Sequence, residues 1–371
     1  MEKYLFVENK FRDSFRRWGF REVRTSTVDY FDIIRGGAGE GFADSIFKVQ
    51  DCDGRLLSVR GELTTQIARM LASKARDEGR LFYIANCIRF LEEKTLSRRE
   101  FWQAGAELIG GVEVEADAEV IALVLSSLEA LGIGDASIDV GNVGLFMAAA
   151  RAFNITDYEA LRRVLASRSM EDLKVLTMDT AARETFSFLM ERRGGPGIVK
   201  ELAEMVKERS DAIGKFAGYF EELFQLLDSY GFADKVKIDL TTLREKKYYN
   251  GTVFEIFVDG LGVPIGGGGR YDSMMKEFEL KDIRATGFAL SVDLCVKALD
   301  LKAPGAVTPG IITRVLYEEG YLPKAIGLAA RLRRRGIVCS LDRFSGEQEG
   351  VLVGETTTEL GSGKAYREGG E

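Results

Sequence analysis

Apolar positions along the first part of the chain change period repeatedly. Residues 1–20 carry apolar side chains at helical spacing, whereas alternation from Glu22 to Tyr30 predicts a strand. The glycine-rich segment 35–42 predicts a mobile loop. Two alternating runs flank Asp53-Gly54, a dipeptide typical of hairpin turns, and a helical pattern then covers 64–79. The predicted order is therefore helix, strand, loop, hairpin and helix.

The middle of the chain alternates between strand and helix patterns. Segments 80–93 and 99–111 predict two strands that are joined by a polar loop. Helical spacing over 113–131 and 143–153 predicts two helices, with a short strand at 136–141 between them. Such a mixture of strands and helices, with many DG and GG turns, predicts an α+β fold built on an antiparallel sheet.

Two later changes in composition suggest how the chain is organised. Residues 154–228 are rich in Leu, Ala, Glu, Arg and Lys at helical spacing, which predicts a helical insertion before the strand patterns return. From Pro304 a proline- and glycine-containing stretch predicts a linker, so we expect domains at 1–303 and 304–371. The second is predicted to be a small, truncated α/β unit with a disordered tail at 361–371.

Composition narrows the possible classes of protein. With 371 residues, 46% of them hydrophobic, the chain can bury a sizeable core. A net charge of −7 argues against a generally basic, nucleic-acid-binding surface. No apolar run approaches the roughly 20 residues of a membrane span, and the N-terminus lacks the apolar core of a signal peptide. We therefore expect a cytoplasmic protein that does not bind membranes.

The complete absence of histidine excludes several kinds of chemistry. Without an imidazole, neither a Ser-His-Asp hydrolase nor an HExxH metalloprotease can be built. The common zinc sites that use histidine are excluded as well, and no metal site is predicted. Any catalysis would have to use carboxylates, arginine, lysine or tyrosine.

Several polar residues interrupt otherwise apolar patterns. In VRGELTT, Glu62 and Thr64 stand before a helix, where a carboxylate can receive an ammonium group or simply cap the helix. Arg89 lies in an apolar strand and is expected to face an anion, because burying an unpaired arginine is costly. Period-two alternation places Gln103 and Glu107 on one strand face, which could bind a ligand or be an ordinary solvated face.

A second group of polar and aromatic residues surrounds a later strand. Arg244 precedes Tyr248 and Tyr249, whose rings can line a pocket and offer a hydroxyl, although a hairpin with packed aromatics is the alternative. The glycines of IGGGGRYDSMM, from Ile265 to Met275, permit a ligand to approach the backbone closely, and a plain loop is equally compatible with them. This segment lacks the GK[ST] of a P-loop.

Together, these segments resemble the histidyl-tRNA synthetase family, which includes a paralogue, the regulatory subunit of ATP phosphoribosyltransferase. The resemblance covers about residues 5 to 297. VRGELTT is similar to the family's R-P-E-G-T segment, and IRFLEEKTLSRREFWQAGAE is similar to class II motif 2. LREKKYYNGTVFE and GGGGRYD resemble R-G-L-D-Y-Y-T-G and A-G-G-R-Y-D, and GFALSVDL resembles motif 3.

The resemblance implies a class II synthetase-like core that contains a histidine pocket. Arg89 and Arg244 are expected to hold the carboxylate of histidine, and Glu62 is expected to hold its ammonium group. Gln103, Glu107 and Tyr249 are expected to face the imidazole. The residues that match the family's histidine-binding positions are Glu62, Thr64, Arg89, Gln103, Glu107, Arg244, Tyr248 and Tyr249.

Departures from the synthetase pattern fall on the side of the pocket that would bind ATP. Ser291, Asp293 and Leu294 occupy positions at which motif 3 reads G-x-E-R, so the arginine that contacts ATP is missing. Leu91 stands where motif 2 has a glutamate. Because loss of one such fixed cation costs roughly 10²–10³ in rate, we expect a degenerate ATP site at Leu91 and Leu294.

The expected function is a non-catalytic regulatory subunit without catalytic residues or a cofactor. It would bind histidine and transmit feedback control to the catalytic subunit of ATP phosphoribosyltransferase, as a homodimer within a hetero-oligomer. Its segment Arg60–Arg69 is closer to the regulatory paralogue than to the synthetases, and tRNA is not an expected partner. The alternative is a histidine–tRNA ligase-like subunit that activates histidine with ATP and Mg.

Overall fold

The structure of the chain is a computed structural model, and the residues it describes are 2–74, 78–90, 99–177, 179–243, 248–279, 283–306, 313–346, 348, 350–353 and 357–360. The chain divides into two compact units, Met1–Ala306 and Val307–Glu371, and each is described by itself. The tail that was predicted to be disordered, 361–371, lies outside the described residues.

The first half of the first unit mixes helices with short and long strands. Its elements are α1 (Glu2–Arg17), β1 (Arg21–Glu22), β2 (Val28–Tyr30), α2 (Phe31–Ala38), α3 (Glu40–Ala43), β3 (Lys48–Gln50), β4 (Leu56–Val59), α4 (Thr64–Ser73), β5 (Gly79–Ile88), β6 (Glu100–Ile109), α5 (Glu113–Leu131), β7 (Ser137–Asn142) and α6 (Val143–Ala152). β2, β4 and β3 form a small antiparallel sheet that contains the predicted Asp53-Gly54 hairpin.

The predicted insertion is helical, and strands return after it. The insertion consists of α7 (Tyr158–Ser167), α8 (Met170–Leu176), α9 (Thr180–Glu191), β8 (Arg193–Gly194), α10 (Gly197–Val206), a 3-10 turn (Asp211–Ile213) and α11 (Gly214–Ser229). The rest of the unit consists of a second 3-10 turn (Ala233–Lys235), β9 (Val236–Asp239), β10 (Thr252–Phe257), β11 (Gly266–Arg270), α12 (Asp272–Glu277), β12 (Ala285–Ser291) and α13 (Val292–Lys302).

A nine-stranded sheet organises the first unit, in the order β1-β5-β6-β12-β11-β10-β7-β9-β8. From β5 to β7 every neighbouring pair is antiparallel, while β1 pairs with β5, and β7 with β9, in parallel. α5, buried along most of its length, packs against α1, α11 and β12. The predicted α+β fold with an antiparallel sheet is therefore confirmed.

The prediction of a mobile loop at 35–42 was wrong. α2 extends to Ala38 and α3 begins at Glu40, so the segment is mostly helical. Gly37 is buried, and a Cβ at this position would lie 2.4 Å from Cγ2 of Thr65 in α4. Gly37 thus permits α2 and α4 to approach closely. The prediction failed because the glycines of this segment were interpreted as loop residues.

The second unit is a small α/β arrangement. It contains β13 (Thr313–Tyr317), α14 (Leu322–Arg334), β14 (Cys339–Arg343), β15 (Gly350–Val353) and β16 (Thr357–Leu360), with the sheet order β14-β13-β15-β16. Ala325, Leu328 and Leu332 of α14 pack on Val315 and Val351 of the sheet. Within the described parts of both units, no helix is long and apolar enough to cross a bilayer.

Candidate functional site

The candidate site lies on one face of the large sheet, where β5, β6 and β12 run side by side. In the register of these strands Tyr83 lies opposite Gly105, and Glu107 lies opposite Gly287. Because strand side chains alternate, Gln103, Gly105 and Glu107 point to the same face. This confirms the predicted shared face of Gln103 and Glu107.

Two glycines leave room for the polar side chains of this face. A Cβ on Gly287 would lie 1.9 Å from Oε2 of Glu107, and a Cβ on Gly105 would lie 2.4 Å from Cζ of Tyr83. Neither separation is physically possible for a real side chain. The carboxylate and the phenol therefore occupy space that any larger residue at positions 105 and 287 would fill.

Glu107 is a buried carboxylate held by two hydroxyl groups. Its side chain is 2% exposed. Thr64 donates from Oγ1 to Oε1 at 2.9 Å, and Tyr271 donates from its hydroxyl to Oε2 at 2.6 Å. Burial raises the pKa of Tyr271 well above its usual range, and the charge of Glu107 raises it further. Tyr271 therefore stays protonated and able to donate.

Glu62 caps the helix that carries Thr64. Its carboxylate accepts from the backbone N–H of Thr65, with N–O distances of 3.1 and 3.3 Å. The capping alternative is thus the contact seen in the structure, while the ammonium-binding role stays a prediction. Burial is the main cause that raises the pKa of Tyr83 and Tyr248 well above the usual range, and the charge of Glu62 contributes to this rise.

The two neighbouring tyrosines form one wall of the pocket. The ring centroids of Tyr248 and Tyr249 are 4.6 Å apart, and the Tyr248 and Tyr271 rings meet edge-on at 6.0 Å. Tyr248 is buried, and Ser273 at the start of α12 donates from Oγ to its carbonyl oxygen at 2.7 Å. The loop that carries both tyrosines is therefore fixed to α12.

Arg89 directly follows β5, and its guanidinium group lies between two aromatic rings. Its guanidinium carbon is 5.5 Å from the centroid of Phe42 and 4.9 Å from that of Phe101. Nη1 donates to the carbonyl oxygen of Gly61 at 3.0 Å, which places the cation next to the segment that carries Glu62. Such cation–π contacts help to orient the guanidinium group. Its expected role in holding an anion stays a prediction.

Three predicted site residues are not placed in this pocket. Arg244 and Leu91 lie outside the described residues, and Leu294 is described but packs elsewhere. Leu294 is 6% exposed in the first turn of α13, and its N–H donates to Oγ of Ser291 at 3.3 Å. Asp293 accepts from the hydroxyl of Tyr4 at 2.8 Å and from the N–H of Trp102 at 3.0 Å. The polar groups of the motif 3-like segment therefore form hydrogen bonds to other parts of the same chain.

Sequence reasoning missed two tyrosines of the pocket. Tyr271 was considered only as part of GGGGRYD, in which the glycines were interpreted and the tyrosine was not. Tyr83 lies in a predicted strand of mostly apolar residues and was not singled out. The one available signal was that Tyr271 stands two positions after a run of glycines that permits close approach, with Arg270 between them. The position of Tyr83 depends on its pairing with Gly105, which a single sequence does not reveal.

The sheet and the site together define the class of protein. An antiparallel sheet with motif 2- and motif 3-like strands beside each other, and buried polar side chains on one face, is the core of a class II aminoacyl-tRNA synthetase-like protein. A family model described as histidyl-tRNA synthetase matches residues 1–294. The chain belongs to the histidyl-tRNA synthetase family.

Similar proteins carry two different names. A protein named ATP phosphoribosyltransferase regulatory subunit, from Caldanaerobacter subterraneus subsp. tengcongensis, is 32% identical and is aligned over 92% of each chain. A protein named histidine–tRNA ligase, from Pyrococcus horikoshii, is 34% identical over 95% of this chain and 84% of its own length. Identity alone therefore does not separate the two functions.

A solved structure with both names in its description superposes on most of the chain. The ATP phosphoribosyltransferase regulatory subunit/histidyl-tRNA synthetase from Bacillus halodurans has a TM-score of 0.83 at 29% identity, covering 94% of this chain and 90% of its own. Together with the relatives named as regulatory subunits, it confirms the predicted resemblance to that paralogue.

Proposed function

We propose that this chain is a non-catalytic regulatory subunit that binds histidine and controls a partner, the catalytic subunit of ATP phosphoribosyltransferase. The names of its relatives support a regulatory role in histidine biosynthesis. The observation that carries the histidine part is the buried Glu107 carboxylate, held by Thr64 and Tyr271 in a pocket walled by tyrosines.

The chemistry of the pocket suits the polar groups of histidine. An ammonium group and an imidazole N–H are donors, and the carboxylates of Glu62 and Glu107 are acceptors that a buried site makes strong. Gln103 contributes an amide on the same strand face as Glu107, and Tyr249 a ring against which an imidazole can pack. Arg89 and Arg244, the two arginines at the family's carboxylate-binding positions, would hold the carboxylate of the ligand.

The non-catalytic part of the proposal rests on the motif 3-like segment. Adenylation accumulates negative charge on phosphate oxygens, and fixed cations lower that barrier. Leu294 supplies no cation, and Ser291 and Asp293 are already engaged with neighbouring groups. We therefore propose that neither ATP nor Mg is a cofactor of this chain.

The proposed partnership is tested by reconstitution. The chain should co-purify with an ATP phosphoribosyltransferase catalytic subunit that has no regulatory domain, as a complex built on a homodimer of this chain. Histidine should inhibit phosphoribosyl transfer by the complex and leave the isolated catalytic subunit unaffected, because feedback requires a ligand that binds two states of the complex unequally. Equal inhibition with and without the chain would sink the proposal.

The second candidate is a subunit that activates histidine with ATP, and the similarity to the Pyrococcus horikoshii ligase favours it. Histidine-dependent exchange between ATP and pyrophosphate distinguishes the two functions directly. The regulatory proposal predicts exchange no faster than in a sample without the chain. Robust exchange would replace it with the ligase, which needs ATP and Mg. A cytoplasmic location is proposed for either function.

A further inference from the structure

A series of buried polar groups connects the helical insertion to the pocket. Tyr219 of α11 donates from its hydroxyl to Oδ2 of Asp117 in α5 at 2.6 Å. Arg270 at the end of β11 donates to both oxygens of the same carboxylate, from Nε to Oδ2 at 3.2 Å and from Nη2 to Oδ1 at 2.9 Å. The side chains of Arg270 and Asp117 are 3% and 2% exposed, so this pair is shielded from water.

The hydrogen bonds of this series can run in only one direction. The carboxylate of Asp117 is paired with Arg270 and only accepts, so Tyr219 must donate to it. The hydroxyl of Thr252, 2.6 Å from that of Tyr219, must then donate to the phenol oxygen. Burial, reinforced by the charge of Asp117, raises the pKa of Tyr219 well above its usual range, which keeps it a donor. Buried networks of this kind fix one geometry.

The series reaches the pocket through consecutive residues of the chain. Arg270 is followed by Tyr271, whose hydroxyl holds Glu107, and then by Asp272. Oδ1 of Asp272 accepts from Nη1 of Arg270 at 3.4 Å and from the backbone N–H of Ala285 at 2.8 Å. Tyr271 is thus held on both sides by residues that the network fixes.

The glycine before Thr252 is part of the same arrangement. A Cβ on Gly251 would lie 2.9 Å from Cδ of Arg270, so the glycine leaves a path for the arginine side chain towards Asp117. The network therefore draws on α5, α11, β10 and β11, which the chain brings together from widely separated segments.

We infer that Tyr219 is a positioning residue for the pocket, which it reaches through Asp117, Arg270 and Tyr271. Its hydroxyl fixes the buried Asp117–Arg270 pair, and that pair fixes the backbone from which Tyr271 holds Glu107. The helical insertion is in this way coupled to Glu107 in the pocket. A partner that shifts α11 would therefore change the affinity of the pocket for its ligand. The ligand named in the binding test rests on the proposed function, and the positioning itself does not.

A test without any ligand uses NMR of protein labelled with ¹³C at the ζ carbon of tyrosine. Tyr271→Phe assigns the Tyr271 resonance by its disappearance. Tyr219→Phe, which removes only a hydroxyl and leaves Asp117 paired with Arg270, should shift that resonance. Tyr230→Phe is the matched control, since Tyr230 follows α11, is 43% exposed and should leave the resonance in place. An unmoved Tyr271 resonance in Tyr219→Phe overturns the inference, whether or not histidine binds.

Calorimetry with histidine adds a double-mutant cycle. Tyr219→Phe should weaken binding about three- to tenfold, the usual effect of one hydrogen bond, and should have no further effect in the Tyr271→Phe background. Equal loss in both backgrounds contradicts the route through Tyr271. If the unaltered chain binds no histidine, the proposed function fails, and the NMR result still decides the inference.

Discussion

Two ends of the same three strands differ in what happens to their polar side chains. At the Glu107 end, two glycines leave space for a carboxylate, and hydroxyls from α4 and from the residue before α12 converge on it. At the motif 3-like end, Leu294 is buried, and Asp293 bonds to Tyr4 and the backbone of Trp102. One end holds a buried carboxylate among hydroxyl groups. The other end holds a buried leucine, and its carboxylate bonds to nearby parts of the protein.

The two ends differ in which kind of group the framework holds. The side chains proposed to bind histidine include Glu107 of β6, whereas the position that matches the family's ATP-binding arginine, Leu294, lies in the first turn of α13. A leucine at this position packs in the interior while the sheet beside it stays regular. The same family framework can therefore carry either name found among its relatives.

The largest expected effect comes from restoring the missing cation. Leu294→Arg should lower the free energy of unfolding by about 3 kcal/mol, because it places a charge at a buried position. It should not produce ATP–pyrophosphate exchange, since the neighbouring polar groups are engaged. Chemical denaturation measures the first effect, and Leu294→Met is the control that keeps the volume. A gain of exchange would show that the motif 3-like end is still an open ATP site.

The second largest effect is expected from removing the negative charge of Glu107. Glu107→Gln keeps the size of the side chain but replaces an anion by an amide, so histidine binding should weaken about 10- to 100-fold. Calorimetry gives the dissociation constant. The matched control is Glu100→Gln, an exposed carboxylate on the same strand that accepts from Asn86. Equal losses in the two variants would mean that Glu107 has no special role.

A smaller effect on stability is expected from filling the space beside Glu107. Gly287→Ala would place a methyl group 1.9 Å from Oε2, so the carboxylate must move. We expect the free energy of unfolding to fall by about 1–3 kcal/mol, the range for overpacking, and histidine binding to weaken as well. Gly134→Ala, at a position with no neighbour within 4 Å, should change neither property. Unchanged histidine binding in Gly287→Ala would mean that the pocket does not need a glycine at position 287.

Strand alternation carried much of the sequence prediction, because it depends only on neighbouring residues. It placed Gln103 and Glu107 on one face, and helical spacing gave the bounds of α5 as observed. The interpretation of segment 35–42 failed because glycine serves both loops and close helix packing, and the position of Thr65 decides between them. The partners of Glu107 could not be predicted, since Thr64 and Tyr271 come from distant segments that only the folded sheet brings together.

Calorimetry of the full chain with histidine, in the absence of ATP and Mg, decides whether this pocket binds histidine without nucleotide. We expect saturable heat that Glu107→Gln largely removes and Glu100→Gln preserves. No heat at millimolar histidine, with the chain shown to be folded, would contradict the assignment of the pocket.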